Sequence, residues 1–133
     1  MIAWVCDQLI DVTDPGSPVA VGNATHGVGG FTELEGARGA QSVDIITVSE
    51  CTYAVVASWA DNGVQLLNVT DPSVPAPVDA VTDGERGFTE LLGAAGIKTF
   101  AVGSHTFAIA VAQQDNGVQL INLVIVVAVY PYY

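Results

Sequence analysis

The stretch YAVVASWADNGVQLLNVTDPSVPAPV, residues 53–78, contains the pattern that decides the fold. Two runs rich in β-branched and aromatic residues flank the triplet Asp61-Asn62-Gly63, and the second run ends at Asp71-Pro72. Strand-forming runs separated by short turn clusters are typical of antiparallel meanders. Proline cannot donate to a strand ladder and holds the preceding residue extended, so the pattern predicts a strand end at the Asp-Pro pair.

The same text recurs along the chain. QLIDVTDPGSPVAVGNATHGVGGFTEL starts at Gln8 and returns at Gln65 as QLLNVTDPSVPAPVDAVTDGERGFTEL, with about 15 of 27 positions identical. The segment at residues 53–68 returns at residues 107–122 as FAIAVAQQDNGVQLIN. We divide the chain into a partial first repeat (1–34), a complete second repeat (35–91) and a partial third repeat with an apolar tail (92–133). Units this small cannot bury a core alone, so neighbouring units must complete it.

Each complete unit is predicted to contain four strands. In the second unit these are residues 43–48, 53–59, 64–70 and a less regular fourth strand at 78–82, which corresponds to 19–23 in the first unit. Patterns typical of helices are nearly absent. The strands are apolar on both faces, which favours sheets stacked face to face. The predicted fold is all-β: about 2.3 tandem, blade-like, four-stranded antiparallel meanders.

Two recurring elements connect these strands. In the Asp-Asn-Gly triplets we expect Asn and Gly to accept the positive φ of a tight hairpin turn. In the GFTEL connection, Phe and Leu are expected to anchor the chain on the sheet, whereas Glu33 and Glu90 are expected to point to solvent or to accept turn N–H groups. The expected anchors are Phe31, Leu34, Phe88 and Leu91.

Composition excludes several classes of partner. Fourteen acidic against three basic residues give a net charge of -11, which disfavours nucleic acid and anionic lipid. Half of the residues are apolar and only 13% are charged, as in a folded, core-rich protein. The N-terminus lacks the basic and long apolar regions of a signal peptide.

The end of the sequence is unusually apolar. Residues 116–133 carry no charge, but Gln119 and Asn122 interrupt the run, so we predict no membrane span. A buried or intermolecular β-strand fits better, because an exposed strand of this kind would template aggregation. The predicted assembly residues are Val124, Ile125, Val126, Val127, Val129 and Tyr130.

No catalytic motif is found in the sequence, and no catalytic or cofactor-binding residue is predicted. His26 and His105 occupy different repeat positions and are expected in loops. Several carboxylates recur once per unit, which favours a structural role, since one active site needs its pair only once.

Calcium is the best alternative chemistry. Asp61, Asp83 and Asp115 offer loop oxygen ligands, although without EF-hand or RTX spacing.

Asn23 and Asn68 begin glycosylation sequons, which matter only in a secreted chain. The two cysteines fall outside the repeat pattern, so free or intermolecular thiols are favoured over an internal bridge.

The recurring pattern of strands and turns resembles the LVIVD repeat, a β-propeller-like blade of secreted and cell-surface bacterial and archaeal proteins. The matching text is residues 53–78, with QLIDVTDPGSPVAV in the first unit and FAIAVAQQDNGVQLINL in the third. The resemblance implies a blade-like sheet and an extracellular or surface location. Two features depart from it: the period is longer than the roughly 40 residues of propeller blades, and 2.3 units cannot close a ring of four to eight blades.

The sequence therefore predicts a non-enzymatic, structural or adhesive extracellular protein. Its unfinished ends can complete one another within a tightly folded monomer or between copies. We expect the second, which gives a head-to-tail filament or extended array. The alternative is a fragment of a propeller-type domain that binds a small ligand or glycan, with calcium as possible support.

Overall fold

The computed structural model describes residues 6–34 and 39–123, and within them the chain is built from antiparallel strands. The strands are β1 Cys6–Asp11, β2 Val19–Thr25, β3 Ala40–Val48, β4 Cys51–Ser58, β5 Gly63–Asn68, β6 Ala76–Thr82, β7 Ala94–Val102, β8 His105–Ala112 and β9 Gly117–Asn122. This part of the chain contains no helix long and apolar enough to cross a membrane.

The described strands form three meandering sheets, which confirms the predicted all-β repeat fold. Their orders are β1-β2, β3-β4-β5-β6 and β7-β8-β9. The sheets repeat even in their irregularities, because the register shift at Leu9/Ile10 returns at Leu66/Leu67. The shift at Ala40/Ser42 likewise returns at Ala94/Gly96. Equivalent text therefore produces equivalent bulges.

The three sheets stack face to face, and the alternation of β4 shows how. Tyr53, Val55 and Ala57 belong to a cluster shared with the third sheet, which includes Ala108 and Ala110. The residues between them, Ala54 and Val56, belong to a second cluster shared with the first unit. Successive side chains of a strand point to opposite faces. Both faces of β4 are therefore buried.

The described sheets form an open stack rather than a closed propeller. The first sheet supplies only two strands to the described structure, so among the described residues it covers β4 and β5 but leaves most of β3 uncovered, with only Ala40 of β3 packed against the shared cluster. Val43 and Ile45 on β3 are accordingly more than half exposed, at 55% and 53%.

Some predicted boundaries are wrong by one or two residues. Trp59 lies in the turn after β4, and its backbone N–H donates to Gly39 O at 2.9 Å. Val69 and Thr70 lie beyond β5, where the Asn68 side chain accepts the N–H of Thr70. His105 was expected in a loop but is the first residue of β8.

One close approach fixes how the first two units fit together. A Cβ at Gly22 on β2 would overlap the carbonyl oxygen of Pro72 and come within 3.2 Å of the Pro75 ring. The proline turn of the second unit therefore rests directly on the backbone of the first. Only glycine leaves room for this contact.

We predict that Gly22→Ala destabilises the protein by about 1–3 kcal/mol, because the added methyl must push the Pro72 turn away. The matched control is Gly16→Ala, since a Cβ there would meet only Asp14 Oδ1 at 3.4 Å. The control should change stability by less than about 0.5 kcal/mol. Denaturant titration of both variants checks this, and equal midpoints would contradict it.

Candidate functional site

The most distinctive geometry in the molecule lies at the joints between units. In each joint the connection loop leaves the fourth strand and folds into the same shape. Gly27 N donates to Phe31 O at 2.7 Å in the first unit, and Gly84 N donates to Phe88 O at 2.7 Å in the second. Both glycines have positive φ, 77° and 83°. The loop then delivers its FTEL segment to the next unit.

A buried glutamine receives the FTEL segment at the first joint. Gln65 lies on β5 and is only 1% exposed. Its Oε1 accepts the N–H groups of Thr32 at 3.1 Å and Glu33 at 3.3 Å. Its Nε2 donates to Asp79 O on β6 at 3.1 Å. One amide therefore ties the third and fourth strands of a unit to the connection that enters it.

The second joint repeats this arrangement. Gln119 Oε1 on β9 accepts the N–H groups of Thr89 and Glu90, both at 3.2 Å. Gln8 occupies the same repeat position in the first unit, where its Nε2 donates to Gly22 O at 2.6 Å. Within the described residues, no connection donates to the Gln8 side-chain oxygen. Sequence reasoning missed this role, although a glutamine recurring in an apolar strand was visible in all three copies.

Apolar anchors hold the same connections in place. Phe31 and Leu34 are 5% and 0% exposed in the first joint. Leu91 is fully buried in the second joint, and Phe88 packs against the same cluster. The structure thus places the four predicted anchors as expected.

The Asp-Asn-Gly triplet serves the joint as well as the turn. Asn62 and Asn116 have positive φ, 55° and 54°, as predicted, but the glycines do not. The glycine is required for another reason: a Cβ at Gly63 would overlap Val81 O and lie 2.7 Å from Glu33 Oε2. At Gly117 it would lie 2.5 Å from Glu90 Oε2. The glutamate of each connection therefore sits directly over the turn of the next unit.

Glu33 is the unusual titratable group of the first joint. It was expected to point to solvent or to accept turn N–H groups, but it is 9% exposed and accepts the hydroxyl of Thr82 at 2.8 Å. Loss of water raises the pKa of Glu33 to about 7, and the nearby charges of Asp61 and Glu85 act in the same direction. The prediction was wrong because it did not foresee that β6 would close over this side chain.

A carboxylate also links the second and third sheets. Asp44 Oδ2 on β3 accepts the N–H of Thr99 at 2.7 Å and its hydroxyl at 2.8 Å. These two hydrogen bonds lower the pKa of Asp44. They fix β7 against β3 beside the apolar core.

The three candidate calcium ligands have partners within the protein. Asp83 Oδ1 accepts Leu91 N, and Asp115 Oδ2 accepts Leu92 N, both at 2.9 Å. Asp61 Oδ2 accepts the Ser58 hydroxyl at 3.2 Å and lies 3.8 Å from His26 Nδ1. Across residues 6–34 and 39–123, no three acidic, His or Cys side chains gather as a metal site would require. The calcium hypothesis remains a prediction, with structural roles now visible for these groups.

The remaining candidates lie apart from the joints. Asn23 is exposed on β2, and Asn68 is half-buried at the end of β5. Cys51 is a free, half-buried thiol. The predicted assembly residues from Val124 to Tyr130 lie outside the described residues, so their role stays a prediction.

The third sheet presents an apolar outer face, which we call the open face. The pairs Ile109 with Leu120 and Val111 with Val118 are register partners, so they share one side of the sheet. The opposite side carries Ala108 and Ile121, which are buried against the middle sheet. The open face comprises Phe107, Ile109, Val111, Val118 and Leu120.

Each residue of the open face repeats a residue that is buried one unit earlier. Leu120 corresponds to Leu66, and their exposures are 59% and 8%. Val118 corresponds to Val64, with exposures of 52% and 3%. The third sheet covers Val64 and Leu66. Equivalent side chains are therefore buried inside the stack and exposed at its end.

Comparison with known proteins does not identify a family. The chain matches no family model, and it has no match among curated proteins or solved structures. The resemblance to the LVIVD repeat therefore remains a prediction from the sequence.

We predict that Gln65→Leu destabilises the protein by about 2–4 kcal/mol, because it leaves two connection N–H groups without their acceptor. Gln8→Leu is the matched control at the same repeat position, and it should cost about 1 kcal/mol or less because no described connection docks there. Denaturant unfolding of the two variants measures the difference. Equal losses would show that the glutamine serves only its own strand.

We predict that Glu33→Gln raises the melting temperature more at pH 8 than at pH 5. The pKa of Glu33 is above the ordinary value of 4.5, so its contribution is fully present below 4.5 and is lost as pH rises through about 7. Gln cannot ionise and removes that loss. Glu90→Gln is the control at the same repeat position. An equal gain there would mean that lost negative charge, rather than the burial of Glu33, stabilises the variant.

Proposed function

We propose that this chain is a structural or adhesive repeat protein of the cell surface or extracellular space, which assembles head to tail into a filament or extended array. The observation that carries the proposal is the open face. A largely apolar sheet face that is exposed among the described residues marks an interaction site. In this chain the equivalent face of the preceding unit is covered by another unit.

The free edge of β9 supports assembly in a second way. In the middle sheet the equivalent strand, β5, pairs with β6 from Asn68 to Gly63. In the described structure β9 has β8 as its strand partner and an unpaired outer edge. Strand complementation between copies would satisfy the backbone groups of this edge. The uncharged residues Val124 to Tyr130 are the strand that we propose for this pairing.

The roles of the recurring carboxylates support a non-enzymatic function. Asp83 and Asp115 accept hydrogen bonds from connection N–H groups, and Asp44 joins two sheets. Such partners account for these side chains without catalysis. The net charge of -11 keeps the outer surfaces of an array solvated and disfavours nucleic acid as a partner.

We predict that purified protein forms species whose mass grows with concentration, because a head-to-tail contact uses a different surface on each molecule and can repeat without limit. Light scattering over a concentration series, with reducing agent present to exclude disulfide links, measures the mass. Electron microscopy of the same samples should show uniform fibres. A monodisperse monomer at high concentration, or compact ring-shaped particles, would contradict the proposal.

A second candidate is a ligand-binding fragment of a propeller-like domain, and a groove between β6 and β9 favours it. The groove has an apolar floor with the Arg86 and Asp79 ion pair at its rim, 3.2 Å between charged atoms. Its floor includes Val64, Leu66, Val81, Phe88, Ile121 and Leu123. A glycan array that detects specific binding, lost in Phe88→Ala, would favour this function.

A further inference from the structure

The inference that follows rests on the proposed self-assembly and concerns which surfaces meet. Each internal joint pairs two unlike faces. Each sheet has one face that looks forward, toward the next unit along the chain, and one that looks back, toward the preceding unit. The face that looks forward carries large side chains, such as Tyr53, Val55 and Leu66 in the middle sheet. The face that looks back carries small side chains on its central strand, Ala108 and Ala110 of β8 in the third sheet, with Ile97 and Ile121 on the strands beside it. Large side chains opposite small ones interdigitate at normal packing density, whereas two large faces would not.

The open face is the forward type. Phe107, Ile109 and Leu120 stand at the repeat positions of Tyr53, Val55 and Leu66. Phe107 stacks on Phe100 of β7, with ring centroids 5.5 Å apart. The natural complement of the open face is therefore a backward-looking face, not a second open face.

The charge of the open face also favours a copy of this chain. The register places Gly96, Lys98 and Phe100 of β7 on the same side as the residues of β8 and β9. Among the described residues on this side there is no carboxylate, although the chain contains fourteen. An acidic protein can stack on itself only where its negative charges are kept away from the contact.

The matching backward-looking face lies on the first sheet. Ile10 on β1 corresponds to Leu67 and Ile121, which are 1% and 5% exposed inside the two joints. Ile10 itself is 54% exposed. Gln8 lies two residues before it, at the position of the joint glutamines Gln65 and Gln119. The two sheet faces of a joint are thus both present among the described residues, at opposite ends of the described stack.

We propose that the open face of one molecule docks on the outer side of β1 in a second copy, with Ile10 taking the place that Leu67 and Ile121 take in the internal joints. The contact is heterologous, so each molecule has one donor face and one acceptor face. Such contacts propagate unless their rotation closes a ring.

Two lysine substitutions test this pairing. Ile10→Lys blocks the first sheet and leaves the open face intact, whereas Leu120→Lys blocks the open face and leaves the first sheet intact. Both residues are more than half exposed, so the monomer should keep its fold. Val74→Lys is the matched control, because Val74 is 66% exposed in the turn before β6 and belongs to neither face. Circular dichroism and thermal melting establish that all three are folded.

Analytical ultracentrifugation then distinguishes the outcomes. We expect wild type and Val74→Lys to polymerise, each blocked variant alone to lose every species above monomer, and an equal mixture of the two to form a dimer that grows no further. Polymerisation of either blocked variant, or a mixture that stays monomeric, would overturn the pairing. So would a dimer of Ile10→Lys alone, which would indicate contact between two open faces.

The result also separates this inference from the proposed function. If wild type does not associate, the proposed function itself fails. If wild type associates and the blocked variants associate equally well, assembly stands and only the assignment of its surfaces is wrong. Val118→Lys offers a second block of the open face, and it should behave as Leu120→Lys does.

Discussion

The need to cover both faces of β4 governs the rest of this structure. Val55 and Val56 are adjacent in sequence and lie on opposite faces, and each is 2% exposed or less. A single four-stranded sheet cannot bury both side chains, because each of its two faces needs another layer packed against it. The middle unit therefore depends on a neighbour on each side, and the chain is stable only as a stack. The joints are in this sense the core of the protein, since most of its fully buried side chains lie within the two clusters between sheets.

The joints combine apolar packing with a small number of specific polar contacts. Apolar burial is not directional, so it favours stacking without fixing the offset between sheets. The glutamine amides supply direction, because Gln65 and Gln119 each accept two successive N–H groups of the entering connection. Asp44 adds a fixed point between β3 and β7. Glu33 differs from these residues, because its carboxyl lies where water is largely excluded and its pKa is raised to about 7.

The sequence was sufficient to predict the all-β class, the meander and the face-to-face stacking, because these follow from strand periodicity and from turn residues at fixed offsets. It predicted the buried anchors Phe31 and Leu34 because apolar residues recur at these positions of the GFTEL connection. It did not predict the environment of Glu33 or the reason for Gly63, since both depend on which strand of the next unit closes over the connection. The open face was also hidden. Val118 and Val64 have the same local sequence, and only the number of neighbouring sheets makes one exposed and the other buried.

The difference between Gly22 and its repeat equivalent Asp79 has a consequence for lengthening the chain by duplication. Gly22 leaves space for the Pro72 turn, whereas Asp79 fills the corresponding place and is held there by Arg86 and by the N–H of Ala80. Inserting another copy of residues 35–91 after the second unit would bring a new proline turn against that side chain. The repeats are alike in sequence but not interchangeable in order. Lengthening this stack by duplicating residues 35–91 would therefore require a change at residue 79 as well.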